Sequence, residues 1–397
     1  MLFGGGCLIL LLFYFLGERI LLRVKIGRIP LRICVTGTRG KSTVTRLIAS
    51  SLREAGFQVL AKTTGSRPVI IFPDGEEREI ERRGLPSILE GKRILKLASK
   101  LKAQAFVAEM MSIQPECSFV ESRQLLAPQI LVITNVRLDH LDLMGSTKEE
   151  IAQSLSASIP PQGKVFVPQE EYFSVFEEAA QKIKAKIIPV KRPSDEDSLA
   201  LKAAFADEFE ENVRLALAVT QFLGIKKEVV FRGMAKARPD FGSLKIFVTP
   251  VGLTPCPWYL VSAFAANDPE STARVLSKLK ERISFAGKRI IGILNFREDR
   301  GDRTGQWIKA FEDGFFHDFQ RLVFIGAHSQ AICRKKKFKF SPQIEVSAIS
   351  AKNPKKIMER LSAMEREEVI LIGMGNMGGL GRALLEYWEE IGKPYGN

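Results

Sequence analysis

A glycine-containing loop followed by a lysine and two hydroxyl side chains is the first feature of the sequence that could do chemistry. Its residues are Thr36-Gly37-Thr38-Arg39-Gly40-Lys41-Ser42-Thr43. Glycines let backbone N–H groups turn toward phosphate oxygens, a lysine can meet terminal phosphates, and a serine hydroxyl can ligate magnesium. The loop therefore predicts a binding site for phosphate groups and Mg²⁺, formed by Gly37, Thr38, Arg39, Gly40, Lys41, Ser42 and Thr43.

The segments on either side of this loop are the elements that must position it. Residues 31–35 form a strand-like run, and an amphipathic stretch continues from the loop to Ala55-Gly56. A strand, a glycine loop and a helix in this order place phosphate at a helix N-terminus. The spacing is shorter than in the usual phosphate-binding loop, because Val35 stands where that pattern has its first glycine.

A cluster of charged residues follows an apolar run in the second half of the chain. Residues 290–294 predict a strand, and the segment 297–303 contains three arginines directly after it. Strand ends are where α/β sites form, and arginine can clamp a carboxylate or stabilise a transferring phosphoryl group. The segment therefore contains candidate catalytic residues, and a solvent-exposed, salt-bridged loop is the alternative.

The glycine loop, residues 37–45, resembles the ATP loop of the Mur ligase family, which includes folylpolyglutamate synthetases and poly-γ-glutamate synthase ligases. Residues 107–114 resemble the family's strand that ends in a metal-binding glutamate, and residues 134–142 resemble its T-N-x-x-x-D-H-x-D segment. The resemblance implies that Ser42, Glu109 and His140 bind magnesium. It also implies a catalytic role for Lys41, Glu109, His140, Arg300 and Arg303.

Three further segments extend the resemblance to ATP and substrate contacts. Asn212 begins a helical stretch and would contact ATP, although an asparagine that caps a helix would look the same. Residues 264–271 are similar to the Mur segment Y-A-H-N-P-x-S near the acyl-transfer site, but Ala266 replaces its histidine. The substrate contacts implied in this way are Lys62, Thr63, Thr64, Asn267 and Asp268.

The K-T-T-G, F-A-A-N-D and D-R-x-D-R-T elements and an apolar N-terminus indicate the poly-γ-glutamate branch. The resemblance implies that ATP converts a glutamate γ-carboxylate into an acyl phosphate, with release of ADP. The amine of another glutamate then takes the acyl group, which extends poly-γ-glutamate. Two alternatives stay open: a glutamate ligase acting on a small, folate-like cofactor, and a P-loop ATPase switch or scaffold at the membrane.

The N-terminus differs from the rest of the sequence. Residues 2–16 carry no charge, and five basic residues follow by position 32. Basic residues after an apolar segment place the body of the chain on the cytoplasmic side of a membrane. We therefore expect residues 1–28 to form a membrane anchor, with the catalytic domains in the cytoplasm; a buried or amphipathic helix is the alternative.

Composition limits the partners of the chain. Its 397 residues carry a formal net charge of +14, which fits anionic lipid, nucleic acid or an acidic product. The basic residues are dispersed and form no groove-reading motif, so we expect no nucleic-acid partner. The resemblance implies glutamate and the growing polymer as substrates and membrane subunits as partners, and it leaves assembly as a homo-oligomer open.

These patterns predict an α/β fold with two globular domains. A Mur-ligase-like central P-loop ATPase domain is expected at residues 29–240, and a smaller Rossmann-like C-terminal domain at residues 241–397. The turn-rich segment 238–243 is the expected joint between them.

Overall fold

The computed structural model describes residues 2–65, 67–82, 84–171, 173–250, 256–334 and 344–395, without the side chains of residues 2–9 and 173. The chain divides into two compact units, Met1–Asp240 and Phe241–Asn397. Each unit contains its own sheet, in which parallel pairs predominate and helices connect the parallel strands.

The sheet of the first unit has eight strands in the order β4-β3-β2-β5-β1-β6-β7-β8. Six neighbouring strands run parallel, in the order β2, β5, β1, β6, β7 and β8, and β3 and β4 add an antiparallel edge. The strands are β1 Leu31–Thr36, β2 Val59–Lys62, β3 Val69–Ile71, β4 Glu77–Glu79, β5 Ala105–Glu109, β6 Ile130–Ile133, β7 Lys164–Pro168 and β8 Lys186–Val190.

Helices connect these strands, and one π-helix, Val120–Leu126, follows α4. The helices are α1 Leu2–Gly27, α2 Lys41–Glu54, α3 Leu89–Lys100, α4 Pro115–Phe119, α5 Leu141–Met144, α6 Lys148–Ser156, α7 Phe173–Gln181, α8 Asp195–Ala204, α9 Glu210–Phe222 and α10 Lys227–Ala235. Side chains alternate between the two faces of a strand. Accordingly, Ile33 and Val35 of β1 pack in one apolar core and Cys34 packs in the other.

The register of the central strands brings the ends of three of them to one edge of the sheet. Val35 of β1 pairs with Glu109 of β5, and Thr36 pairs with Ile133 of β6. The segments that follow β1, β5 and β6 therefore leave the sheet side by side. This carboxyl edge is where ligands bind in open α/β sheets.

The second unit has seven strands in the order β13-β12-β11-β14-β10-β9-β15, with β9 and β15 antiparallel to their neighbours. The strands are β9 Lys245–Pro250, β10 Pro257–Ser262, β11 Arg289–Phe296, β12 Arg321–Gly326, β13 Glu345–Ala348, β14 Val369–Gly375 and β15 Lys393–Pro394. A 3₁₀ turn spans Phe264–Ala266. The helices are α11 Pro269–Arg282, α12 Gly301–Glu312, α13 Ser329–Arg334, α14 Pro354–Met364 and α15 Leu380–Ile391.

The N-terminal helix α1 packs on the first unit through its C-terminal half, where Leu22 and Ile26 are buried and Glu18 pairs with Lys92. Among the residues whose structure is described, no helix is both long and apolar enough to cross a membrane. The expected membrane anchor at residues 1–28 depends in part on residues 1–9, which lie outside the described residues or have no described side chains.

Candidate active site

The loop between β1 and α2 has a conformation that requires glycine at two positions. Gly37 and Gly40 have φ angles of 118° and 79°, in the region that side chains disfavour. A Cβ atom on Gly37 would lie 2.2 Å from Thr134 Oγ1, and one on Gly40 would lie 2.3 Å from Asn212 Oδ1. The close approach of these two side chains therefore excludes any residue larger than glycine at positions 37 and 40.

Lys41 begins α2 and turns back over the loop. Its Nζ donates hydrogen bonds to the carbonyl oxygens of Gly37, at 2.7 Å, and Thr38, at 3.3 Å. Burial lowers the pKa of Lys41, and the nearby Glu109 carboxylate opposes that shift. A lysine at this position lies where terminal phosphates meet a helix N-terminus, and it can exchange the loop carbonyls for phosphate oxygens.

The segment after β6 holds the loop in place through Asn135. The Asn135 side chain accepts from Arg39 N at 3.0 Å and donates to Arg39 O at 3.2 Å. The backbone carbonyl oxygen of Asn135 accepts from Thr38 N at 3.1 Å. Thr38 Oγ1 in turn accepts from Arg137 N at 3.0 Å. Sequence reasoning gave Asn135 no role, although it lies inside the segment 134–142 that was singled out.

A hydroxyl and a carboxylate meet at the end of β5. Ser42 Oγ donates to Glu109 Oε2 at 2.7 Å, and Thr64 N donates to the same oxygen at 2.7 Å. Oxygen ligands of this kind suit Mg²⁺, so Ser42 and Glu109 fit the predicted metal role. Within the described part of the chain, no three His, Cys, Asp or Glu side chains converge on one metal position.

His140 lies in the same edge segment, with a left-handed backbone at φ 52°. Its Nε2 is 3.6 Å from Asp139 Oδ2, which is 3.2 Å from Arg39 Nη2. Asp139 thus links His140 to the phosphate loop. The role of His140 as a metal ligand stays a prediction.

The K-T-T-G segment is brought to the site by its backbone more than by its lysine. Gly65 lies so close to the loop that a Cβ atom on it would be 2.6 Å from Ser42 Oγ. Lys62 is 1% exposed, and its Nζ lies 3.2 Å from Glu90 Oε1. Thr63 is fully buried, and its Oγ1 has no hydrogen-bond partner among the described residues. The substrate roles of Lys62, Thr63 and Thr64 stay predictions.

Asn212 is buried in the first turn of α9 with its Oδ1 directed at Gly40. The N-cap of this helix is Phe209, whose carbonyl oxygen accepts from Asn212 N at 2.9 Å. The side chain therefore does not cap α9, which removes the structural alternative considered from the sequence. The side chain lies against the loop between β1 and α2, and its contact with ATP stays a prediction.

Glu121 is a buried carboxylate that sequence reasoning missed. It lies on the π-helix, an element that often marks functional sites. Its Oε2 accepts from Ser112 N at 2.9 Å and Ser112 Oγ at 2.6 Å, and also from Met111 N at 3.1 Å. These bonds fix the chain directly after Glu109. Nothing in its local sequence distinguishes Glu121 from a surface glutamate.

In the second unit, Asn267 and Asp268 join the 3₁₀ turn to α11. Asp268 is the N-cap of α11, and its Oδ1 accepts from Ser271 N at 2.8 Å. Asn267 has φ 31°, its carbonyl oxygen accepts from Trp307 Nε1 at 3.0 Å, and its Oδ1 has no hydrogen-bond partner among the described residues. Helix capping explains Asp268, whereas the substrate role of Asn267 stays a prediction.

The two candidate arginines of the second unit have different surroundings. Arg300 forms a bidentate pair with Asp302, at 3.1 and 2.9 Å. Although burial raises the pKa of Asp302, its bonds to Arg300 hold that pKa below its ordinary value. Arg303 is 7% exposed and donates to Asn376 Oδ1 at 2.8 Å. The structure thus connects Arg303 to the glycine loop after β14, residues 375–379.

Both units match domains of known protein families. Residues 35–235 match the Mur ligase middle domain, and residues 248–391 match the poly-gamma-glutamate synthase CapB C-terminal domain. The chain is 32% identical over 393 residues to the capsule biosynthesis protein CapB of Bacillus anthracis, covering 98% of this chain and 83% of that protein. It is 34% identical over 367 residues to the PGA synthase CapB of Bacillus subtilis strain 168, covering 92% of each.

Solved structures support the same fold at lower identity. E. coli FolC in complex with ADP has a TM-score of 0.62 at 15% identity, covering 94% of this chain and 93% of FolC. The bifunctional folylpolyglutamate synthase/dihydrofolate synthase of Yersinia pestis, complexed with AMPPNP and Mn, has a TM-score of 0.63 at 12% identity, covering 94% and 91%. The predicted two-domain α/β fold is confirmed, without its membrane helix. The chain therefore belongs to the Mur ligase family, in the branch of poly-γ-glutamate synthase CapB, and is an ATP-dependent amide ligase.

Proposed function

We propose that the chain extends poly-γ-glutamate by activating a glutamate γ-carboxylate with ATP and joining it to the amine of another glutamate. The likeness to two CapB proteins over nearly the whole chain supports this substrate class. The observation that carries the proposal is the Ser42–Glu109 oxygen pair beside Lys41, at the end of a phosphate loop. FolC shares the fold at 15% identity, which supports the fold and not a folate-like substrate.

The residues of the first unit would bind and neutralise the phosphates of ATP. The N-terminus of α2 would face the phosphates, and Lys41 would move from the loop carbonyls to the terminal phosphate oxygens. Ser42 and Glu109, together with His140, would hold Mg²⁺, which offsets negative charge on the transferring phosphoryl group when bound. Asn135 holds the glycine loop in position, and Glu121 holds the segment that follows Glu109.

The chemistry then requires no enzyme nucleophile. The substrate carboxylate attacks the γ-phosphorus of ATP, the bond to the ADP oxygen breaks, and an acyl phosphate forms. The amine of the second glutamate attacks the acyl carbon, phosphate leaves, and the amine loses its proton. Arg300 and Arg303 of the second unit are the proposed contacts for the substrate carboxylates, and Asn267 is a proposed substrate contact.

We further propose that the N-terminal segment holds the enzyme at the cytoplasmic face of the cell membrane, where it works with membrane partner subunits. The exposed apolar side chains of residues 10–16 and the basic residues that follow support this location. A homo-oligomer is compatible with it.

The test is phosphate accounting with membranes that contain the chain, Mg²⁺, ATP and glutamate. We expect ADP and phosphate to form in step with glutamate polymer. The Lys41→Met variant should lose at least about 100-fold in polymer formation, since one preorganised charge contact is removed from the transferring group. The Lys202→Met variant, which removes an exposed lysine of the same unit, should keep wild-type activity.

Two outcomes would contradict the proposal. Formation of AMP and pyrophosphate would mean that the carboxylate is adenylated. Release of ADP that ignores glutamate and yields no polymer would favour a hydrolytic switch.

A further inference from the structure

A cavity of about 260 Å³ lies in the first unit, apart from the residues of the candidate active site. Its walls are α2, the segment between β3 and β4, and the residues that follow α10. Arg46, Ser50 and Arg53 line it from α2, and Asp74 and Arg238 line it from the other two walls. This volume accommodates a small ligand, and the lining is polar.

Ion pairs tie the walls of the cavity to one another. Glu54 of α2 accepts from Arg232 Nε at 3.1 Å and from Lys236 Nζ at 2.6 Å, which links α2 to the end of α10. Arg46 binds Glu77 through both terminal nitrogens, at 2.5 and 3.1 Å, which links α2 to β4. The cavity is therefore preformed, and the carboxylates of Glu54 and Glu77 already have cationic partners.

Arg53 differs from the other cations of the cavity. Its Nη1 is excluded from solvent and has no hydrogen-bond partner among the described residues. Burial lowers the pKa of Arg53, and the carboxylates of Glu77 and Asp74 oppose that shift. Burying a cation without a hydrogen-bonded anion is unfavourable, so this guanidinium group on the cavity wall favours a ligand that supplies an acceptor.

We propose that the cavity binds an oxyanion, as a carboxylate or a phosphate group, through the guanidinium group of Arg53. Guanidinium forms strong bidentate bonds with both of these groups. The exposed Arg238 supplies a second positive charge at the same cavity. Glutamate and inorganic phosphate are the two sources tested, and only the choice of glutamate rests on the proposed function.

The experiment is calorimetric titration of the full chain, saturated with a non-hydrolysable ATP analogue and Mg²⁺ so that the phosphate loop is filled. Inorganic phosphate and glutamate are titrated separately at constant ionic strength, with chloride as the reference anion. We expect saturable binding of one of them. Arg53→Met should weaken it by about 10-fold to 100-fold, the range for a hydrogen bond to a charged group.

Two variants serve as controls. Arg53→Lys keeps the charge and should lose less affinity than Arg53→Met, while Lys202→Met removes one exposed charge outside the cavity and should change affinity less than about twofold. Thermal melting and affinity for the ATP analogue identify any variant that fails to fold, and they also separate failure of the ligase proposal from failure of this one. No saturable binding beyond chloride, or equal losses in Arg53→Met and Lys202→Met, would overturn the proposal.

Discussion

The glycine loops after β1 and β14 follow buried parallel strands, but their polar groups are satisfied in different ways. In the first loop, the carbonyl oxygens of Gly37 and Thr38 accept from Lys41, a long side chain that can move. In the second loop, the carbonyl oxygens of Asn376 and Gly378 accept from the buried Nδ2 of Asn295. Lys41 can exchange the carbonyl oxygens of the first loop for phosphate oxygens, whereas the second loop is a fixed support.

The reason for glycine also differs between the two loops. Side chains from distant segments press on the first loop, as Asn212 does on Gly40. In the second loop, a Cβ atom on Gly375 would lie 2.6 Å from the backbone oxygen of Asn295. The first loop is thus shaped by residues that also face the candidate nucleotide site, and the second is shaped by neighbouring backbone. This comparison predicts that substitutions in the first loop affect ligand binding most.

The largest effect is expected for Gly40→Ala. The left-handed backbone at φ 79° costs about 1–2 kcal/mol for alanine, and the new methyl group would meet Asn212. Affinity for an ATP analogue should fall at least about tenfold, equivalent to 1.4 kcal/mol, in a binding titration.

Gly56→Ala is the matched control for this change. Gly56 has φ 90°, but a Cβ atom on it meets nothing within 4 Å, so only the backbone cost remains. Its unfolding free energy should decrease while nucleotide affinity stays unchanged. Equal nucleotide affinities of the Gly40 and Gly56 variants would show that the contact with Asn212 is unimportant.

An intermediate effect is expected where Arg303 supports the second loop. Arg303→Met and Asn376→Ala remove the same buried hydrogen bond from opposite ends, and each should lower the unfolding free energy by about 1–3 kcal/mol. In chemical denaturation, the double variant should lose less than the sum of the two, by about 0.5–3 kcal/mol.

Ligation assays on these variants distinguish support from catalysis. A loss of ligation in Arg303→Met that Asn376→Ala does not share would assign Arg303 a direct contact with the reacting groups. Strictly additive stability losses would contradict the coupling between Arg303 and the loop.

The smallest effect is expected for Gly378→Ala. A Cβ atom there would lie 2.0 Å from Arg297 Nη1, the end of a flexible and partly exposed side chain that can turn away. The unfolding free energy should change by less than about 0.5 kcal/mol, as for ordinary surface substitutions, in the same denaturation experiment. A loss as large as that of Arg303→Met would mean that the position of Arg297 is fixed by the loop.

The sequence by itself determined the local elements and the chemical class. The strand-like run at residues 31–35 predicted a strand, and the amphipathic stretch after Lys41 predicted a helix. The structure contains both, as β1 and α2. Such signals are local, because strand and helix periodicities and glycine positions are written in consecutive residues. The motif resemblance gave the family, which the comparisons confirm.

The tertiary structure alone decided which polar groups meet. Asn135 binds Arg39 from 96 positions away, and Arg303 binds Asn376 from 73 positions away. Glu121 and Arg53 have no distinguishing local pattern, yet one braces the chain after Glu109 and the other lines a cavity. These relations depend on strand order and helix packing, which bring distant segments together and cannot be read from spacing along the chain.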